Sequence, residues 1–227
     1  MIPLRDDVAS HRITLANALL IIVNVAVFAW EESLGPHAEA AIDQLALVPA
    51  ALAIHHPALG GAELWPPLTL ITSLFVHGGI LHVAGNMLYL FIFGAAVEEA
   101  MGHVRYMLFY LICGIASALA MAAFTPHSTV PVIGASGAIA GVLGAYFILY
   151  PRGRILTFFP PFFFRVPAVL YLIVWFAAQL YSGIAGGAAG SLMGGVAWWA
   201  HVGGFLFGVA AGPIAVRTPE RRRVARR

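Results

Sequence analysis

Six apolar segments, each about as long as a lipid bilayer is thick, constrain the fold of this chain more than any other feature. They span residues 13–31, 79–98, 104–124, 135–151, 166–184 and 196–215. A membrane-spanning helix needs about 20 mostly apolar residues. The chain is 61% hydrophobic and 10% charged, whereas a soluble domain carries about 25% charged residues. We therefore predict an all-α polytopic membrane protein, a bundle of six transmembrane helices.

The positions of the arginines predict the topology. The chain has no lysine, and its twelve basic residues fall before segment 1, after segment 2, between segments 4 and 5, and after segment 6. All of them lie on one side if the N-terminus is cytoplasmic and the chain crosses six times, which is the positive-inside pattern. We predict a cytoplasmic N-terminal segment (1–12), a six-helix domain (13–215) and a basic cytoplasmic tail (216–227). A bacterial inner (plasma) membrane is the expected location.

Two connections stand out between the apolar segments. Residues 31–78 are too polar and too rich in proline to span, so we predict an extracytoplasmic first loop whose helical pieces lie on the membrane surface. The glycine-rich stretch from Gly183 to Gly195 predicts a flexible connection. The net charge of +2 does not indicate nucleic acid. The basic tail is better explained as an anchor at anionic lipid headgroups than as a nucleic-acid site.

Four polar side chains lie at a similar predicted depth, in three segments that run in the same direction. Ser136 lies in the first turn of segment 4, His201 about 7 Å into segment 6, and His82 and Asn86 about 5–12 Å into segment 2. Taken singly, each has an ordinary explanation as a helix cap, a packing residue or an interhelical hydrogen bond. Together they predict a nucleophilic serine with a histidine base in the outer third of the membrane.

Small residues at four-residue spacing favour close contact between segments 4 and 6. They are Gly137 and Gly141 in segment 4, and Gly204 and Gly208 in segment 6. Packing of these surfaces would bring His201 towards Ser136. No aspartate or glutamate occurs between Glu99 and Glu220, so the pattern predicts a serine–histidine dyad without a carboxylate. The same absence argues against an aspartyl protease, and the chain contains no HExxH zinc motif.

Four motifs together resemble the rhomboid family of intramembrane serine proteases, over nearly the whole chain. They are Gly134-Ala135-Ser136-Gly137, His82-Val83-Ala84-Gly85-Asn86, Gly94-Ala95-Ala96-Val97-Glu98 with Gly102, and Ala200-His201-Val202-Gly203-Gly204 continuing to Gly208. The GxSG pattern alone is weak, whereas four motifs in this order on these segments are specific. The resemblance implies a six-helix rhomboid-like bundle with a membrane-embedded first loop.

The resemblance also implies roles for the polar residues. Ser136 would be the nucleophile, and His201 the general base that then protonates the leaving amine. The oxyanion would be held by the backbone N–H of Ser136 with the side chains of His82 and Asn86. Segment 5, with Trp175, Phe176 and Gln179, would be a mobile gate, and the Gly183–Gly195 loop would cover the site.

Two positions depart from the family pattern. Four residues after the serine, Ala140 replaces an aromatic residue that often stacks on the catalytic imidazole, so we expect Trp198 or Trp199 to orient His201 instead. In the first loop, Trp65-Pro66 stands where the family has a Trp-Arg pair, so the arginine's contribution to holding that loop is missing.

The expected activity is cleavage of transmembrane segments of other membrane proteins near the extracytoplasmic face. The expected partners are those substrates and membrane lipid, with no nucleic acid, and no cofactor or metal is expected. One alternative is a catalytically inactive relative that binds membrane clients. Another is a haem protein with His77, His82 or His201 as ligands, although no two segments offer matched histidines near the bundle centre.

Overall fold

The protein, described from a computed structural model, is a helical bundle with a small β-sheet at one end. The structure describes residues 1–8, 14–54, 66–189 and 197–216. Its elements in chain order are β1 (Ile2–Asp6), α1 (Leu15–Ser33), α2 (Ala38–Leu45), α3 (Pro49–Ile54), α4 (Thr69–Thr72), α5 (Ile80–Tyr89), α6 (Ala95–Met101), α7 (His103–Phe124), α8 (Ser136–Leu149), β2 (Arg154–Phe159), β3 (Phe162–Pro167), α9 (Ala168–Ala189) and α10 (Trp198–Ala215). A π-helical turn, Leu90–Gly94, joins α5 to α6.

Each of the six predicted apolar segments contains a helix. Within the described residues, four helices are long and apolar enough to cross a membrane, by length and composition: Leu15–Ser33, the continuous Ile80–Met101, His103–Phe124 and Ala168–Ala185. The helix α8 is apolar but shorter, at 14 residues. The structure is therefore a mostly helical membrane protein, and crossing by all six helices stays a prediction.

Helix α8 is buried in the bundle and packs against α10 through glycines. A Cβ atom on Gly204 would overlap the carbonyl oxygen of Gly137, and one on Gly208 would overlap that of Gly141. A Cβ on Gly137 would overlap Ser117 of α7 in the same way. Only glycine lets these backbones approach so closely, and α8 and α10 are in contact along them.

A buried carboxylate connects the inner end of α6 to the start of α1. Glu98 is 1% exposed and accepts hydrogen bonds from the backbone N–H groups of Ala16 (2.9 Å) and Asn17 (2.7 Å), in the first turn of α1. Those N–H groups have no acceptor within their own helix, and a negative charge there also interacts favourably with the helix dipole. Glu98 also pairs with His103, at the start of α7.

The prediction of an all-α protein is wrong in one respect, because three strands form an antiparallel sheet in the order β1-β2-β3. The N-terminal strand pairs with β2, with Ile2 opposite Phe158 and Asp6 opposite Ile155. On the bundle side, the hydroxyl of Tyr146 in α8 donates to Asp6 at 2.9 Å. The N-terminal segment and the connection from α8 to α9 therefore lie on the same side of the bundle.

The opposite end of the bundle carries short helices of the 31–78 segment. Backbone hydrogen bonds join Leu47 to Val132 (3.0 and 2.8 Å), and Ala50 to Ser128 (3.0 Å), so this segment packs on the chain that leads into Ser136. The expectation of a flexible connection from Gly183 is wrong for its first part, since α9 continues to Ala189. The remainder of that stretch, together with Trp65 and residues 217–227, lies outside the described residues.

Candidate functional site

Ser136 is held at the start of α8 by the turn that precedes it. Gly134 has a φ of +112°, a conformation that residues with a Cβ rarely adopt. A Cβ there would also lie 2.6 Å from Nε2 of His82. The N–H of Gly134 donates to the carbonyl of Ser73 at 2.8 Å, which fixes the turn. As the first residue of α8, Ser136 has a backbone N–H without an acceptor inside the helix.

His201 lies within hydrogen-bond distance of Ser136. Its Nε2 is 2.7 Å from Oγ of Ser136, across the glycine contact between α8 and α10. The histidine side chain is 8% exposed. Helix packing thus brings together the two residues that the sequence pattern paired, and their roles as nucleophile and base stay predictions.

The second nitrogen of His201 is engaged by Gln179 of α9. Nδ1 lies 2.6 Å from Oε1 of Gln179. An amide oxygen can only accept, so Nδ1 carries the proton and Nε2 is left with a lone pair facing Ser136. This is the tautomer in which the histidine can take a proton from the serine hydroxyl.

Two tryptophans complete the surroundings of the imidazole. The ring of Trp198 meets His201 edge-on with centroids 6.3 Å apart, and Trp175 lies on another side at 6.1 Å. Trp199 instead stacks on Phe124 at 4.2 Å, so the alternative that assigned it to His201 is wrong. Ala140 is fully buried within α8. The hydrogen bond that His201 donates to Gln179 and the packing of Trp175 and Trp198 therefore orient His201 where no aromatic residue stands at position 140.

His82 and Asn86 lie on the same side of α5 and line the same cavity as Ser136. The amide Nδ2 of Asn86 is 3.0 Å from Nε2 of His77, a residue that sequence reasoning considered only as a haem ligand. Nδ1 of His77 is 3.1 Å from the carbonyl of Phe75. His77 therefore donates to that carbonyl and accepts from Asn86, which requires a neutral imidazole. Burial lowers the pKa of His77 to about 4 and keeps it neutral.

A second contact ties His77 to the first helix. Its backbone N–H lies 3.3 Å from each carboxylate oxygen of Glu31, which is 1% exposed. The hydrogen bonds from His77 to Glu31 of α1, and from Asn86 to His77, thus fix one wall of the site. The sequence contains a hint that His77 belongs to the site, because it precedes His82 by five residues in an apolar stretch. Its hydrogen bond with Asn86 is not evident from the spacing of the residues.

The polar residues line a cavity of about 700 Å³ that opens between α5, α9 and the start of α10. Its other walls are mostly apolar and include Tyr89, Ile139, Leu143 and Trp175. A concave apolar site with a few converging polar groups is typical of a binding or catalytic centre. Among the described residues, no three His, Cys, Asp or Glu side chains cluster as a metal site.

Comparison with known proteins identifies the family. The Rhomboid domain model matches residues 62–218. RHOMBOID-like protein 6, mitochondrial, of Arabidopsis thaliana is 32% identical over 70% of this chain and 46% of its own length. Rhomboid protein 1, mitochondrial, of Saccharomyces cerevisiae is 31% identical over 70% of the chain and 45% of its own length. Rhomboid protease GluP of Bacillus subtilis is 46% identical over 34% of the chain and 14% of its own length.

In each of these comparisons the match covers less than half of the relative's own length. The family model nevertheless extends from the first loop to the end of α10, and it includes Ser136, His201, His82 and Asn86. This coverage and the apolar helices lead to the same conclusion: the chain is an integral membrane protein that belongs to the rhomboid family.

Proposed function

We propose that this protein is an intramembrane serine endopeptidase with Ser136 as its nucleophile and His201 as its base. The observation that carries the proposal is the 2.7 Å contact between Ser136 Oγ and His201 Nε2 inside the cavity. The name of one relative, Rhomboid protease GluP, supports the same reaction class.

The reaction follows from the protonation state of His201. Ser136 Oγ attacks the carbonyl carbon of the scissile peptide while its proton passes to Nε2 of His201. The resulting imidazolium then donates that proton to the leaving amine, and water hydrolyses the acyl-enzyme in the reverse sequence. Gln179 acts as a positioning residue, since its amide oxygen holds the Nδ1 proton throughout. No carboxylate contributes, so the cation is stabilised by an amide dipole.

The negative charge of the tetrahedral intermediate would lie at the start of α8. The free N–H of Ser136 and the positive end of the helix dipole favour an anion there. His82 and Asn86 line the same cavity and would supply further donors. Each preorganised donor of this kind is worth about 2.7–4 kcal/mol in the transition state.

The site would act near the extracytoplasmic face, with both chain ends in the cytoplasm. In support, β1 and the 150–167 connection, which carry Arg5, Arg152, Arg154 and Arg165, lie at the opposite end of α8 from Ser136. About 20 Å separates the two ends of that helix. We propose that all six helices of the 13–215 domain cross the membrane. Location in a bacterial plasma membrane stays a prediction, and two of the relatives named above are mitochondrial.

Substrates would be transmembrane segments that unwind readily near the outer face, because a peptide bond inside a helix cannot reach Ser136. The close approach of α8 to α10 and the glycines that flank Ser136 favour a small residue before the cut. Entry would occur beside α9, whose Trp175 and Gln179 line the cavity.

The test is cleavage of a model transmembrane substrate by purified protein in vesicles. Ser136→Ala and His201→Ala should each lower the rate by roughly a million-fold, as removal of a nucleophile or its base does in serine proteases. Ser128→Ala and His127→Ala, in the connection before α8, are matched controls and should cleave normally. Equal cleavage by wild type and Ser136→Ala would refute the proposal.

The alternative is an inactive relative that binds membrane clients, and the names of several relatives describe them only as rhomboid-like. A fluorophosphonate that reacts with activated serines distinguishes the two. Labelling of the wild type, absent in Ser136→Ala, supports the protease. A wild-type protein that is not labelled but still co-purifies with transmembrane proteins supports the alternative.

A further inference from the structure

The hairpin between α8 and α9 ends in a group of exposed phenylalanines. Strands β2 and β3 are joined by Pro160 and Pro161; four residues connect α8 to β2, and β3 leads directly into α9. Strand β2 has six residues and spans about 17–20 Å, so the tip extends well away from the end of α8. The tip is not covered by the rest of the described protein, since Phe159 and Phe162 beside it are 54% and 67% exposed.

The two faces of the hairpin differ in what covers them. Residues directly opposite each other in an antiparallel pair share a face, and faces alternate along each strand. Ile155 and Thr157 are 0% exposed, so their face packs on the bundle, as the bond from Tyr146 to Asp6 on the neighbouring strand also indicates. We name this the bundle-side face.

Near the tip of the hairpin, the bundle-side face is exposed. It carries Phe159, Phe162 and Phe164, which are 54%, 67% and 40% exposed. Three large aromatic side chains on one face of a short hairpin form an apolar patch that a soluble surface seldom presents. Phe162 and Phe164 also belong to β3, an edge strand whose outer backbone groups have no strand partner in the described sheet.

The opposite face has a different composition. Arg154 and Arg165 are exposed there, and Phe163, 64% exposed, stacks on Phe158 with centroids 4.7 Å apart. Phe162 and Phe163 are thus adjacent residues of nearly equal exposure that point to opposite faces. They provide a matched pair for an experiment.

We propose that the Phe159, Phe162 and Phe164 patch is a lipid-binding surface that inserts into the headgroup region of the membrane beside the bundle. The face that packs on the bundle faces the membrane, so beyond the edge of the bundle the next material on that side is lipid. Phenylalanine is one of the residues whose side chains elements at the membrane surface insert into the boundary between headgroups and acyl chains. Arg154 and Arg165 lie on the opposite face of the same hairpin, so one face is apolar at the tip and the other carries the charge, as in an element that lies in the membrane interface. The proposal does not depend on catalysis at Ser136.

The surface is tested by site-directed fluorescence in vesicles of phosphatidylethanolamine and phosphatidylglycerol. Phe162→Cys and Phe163→Cys are each labelled with bimane in the full chain. Cys113, the only native cysteine, is 0% exposed, so the wild type reports the labelling background. Quenching is then measured with lipids brominated on their acyl chains and with iodide in the aqueous phase.

We expect the label at position 162 to be quenched severalfold more by brominated lipid than the label at 163, and the label at 163 to be quenched more by iodide. Iodide quenching at 162 equal to that at 163 would place the tip in water and overturn the proposal. Shielding of position 162 from both quenchers would also overturn it, because a second copy or another protein then covers the patch. If Phe162→Cys does not fold, Phe159→Cys reports on the same face.

Discussion

His201 hydrogen-bonds at both ring nitrogens, to Ser136 on α8 through Nε2 and to Gln179 on α9 through Nδ1. The histidine therefore connects the helix that bears the proposed nucleophile to the helix beside which substrates would enter. Any movement of α9 that carries Gln179 away also frees the imidazole to rotate. In the proposed protease, admission of a substrate and orientation of the base would thereby be coupled through one hydrogen bond.

Replacement of Gln179 tests this coupling. Gln179→Met keeps the shape but removes the acceptor, and should lower kcat roughly tenfold, because one neutral hydrogen bond is worth about 0.5–1.5 kcal/mol. Gln179→Glu restores an acceptor and should be more active than Gln179→Met. Steady-state kinetics on a model substrate separates this role from substrate binding, since KM should change little. If KM rises while kcat is kept in Gln179→Met, Gln179 only binds substrate.

The glycine contact between α8 and α10 should be sensitive to a single methyl group. Gly208→Ala places a Cβ on the carbonyl oxygen of Gly141, so the helices must separate at a cost of about 1–3 kcal/mol. Separation also moves His201 away from Ser136, and cleavage should fall with stability. The measurement is the midpoint of thermal unfolding in detergent, together with the cleavage rate.

Gly85 offers the stability control for that experiment. It lies in the helix α5, and a Cβ there meets nothing within 4 Å. Gly85→Ala should unfold at the wild-type temperature or slightly above it, because alanine is favoured over glycine inside a helix by about 1 kcal/mol. Equal destabilisation by the two substitutions would contradict the close packing of α8 on α10.

The contact between Asn86 and His77 predicts that their effects on catalysis are coupled. If Asn86 is an oxyanion donor, Asn86→Ala should lower kcat by about 100- to 1000-fold. His77→Ala removes the group that orients the amide, so adding Asn86→Ala to it should cost much less. A double-mutant cycle on kcat measures this difference. Strict additivity would show that His77 does not position Asn86.

The contact between β1 and α8 should depend on pH. Burial raises the pKa of Asp6 from 3.8 to about 6, although the nearby hydroxyl of Tyr146 and the charge of Arg5 oppose the rise. Between pH 4 and 6 the folded protein then binds a proton that the unfolded chain does not, so the free energy of unfolding falls as the pH rises through this window. Above pH 6 the buried charge is a constant cost, of order 1 kcal/mol after solvent screening.

Asp6→Asn removes that charge and keeps an acceptor for the hydroxyl of Tyr146. We expect the variant to be more stable than the wild type at pH 8 and equal to it below pH 4. Chemical or thermal unfolding at several pH values, in one detergent, gives the comparison. A variant less stable than the wild type at pH 8 would mean that the carboxylate is stabilising and the predicted sign is wrong.

Local patterns in the sequence were sufficient for the helices. A spanning helix must satisfy its backbone hydrogen bonds internally and present apolar side chains over about 20 residues. Both requirements can be read from a single stretch of chain, and each predicted segment contains a helix. The contact between Ser136 and His201 was also predictable, because depth along parallel segments and matching glycines limit which side chains can meet.

The sheet was missed because its strands give weak local signals. Strand β1 has five residues, and its partner β2 lies about 150 residues later in the chain. The phenylalanine run in β3 resembles the apolar flank of the next helix more than an alternating strand. Pairing between such segments depends on long-range contacts that only the folded bundle brings together.

The sequence by itself determined the membrane class, the helices, the resemblance to the family and the identities of four polar residues that line one cavity, Ser136, His201, His82 and Asn86. The tertiary structure alone decided what each polar group bonds to. Gln179 of α9 meets His201 of α10 at 2.6 Å, and His77, in the connection before α5, meets Asn86 at 3.0 Å; no spacing along the chain encodes these distances. The physical reason is that a buried polar group must find a partner, and only the folded chain decides which partner is within reach.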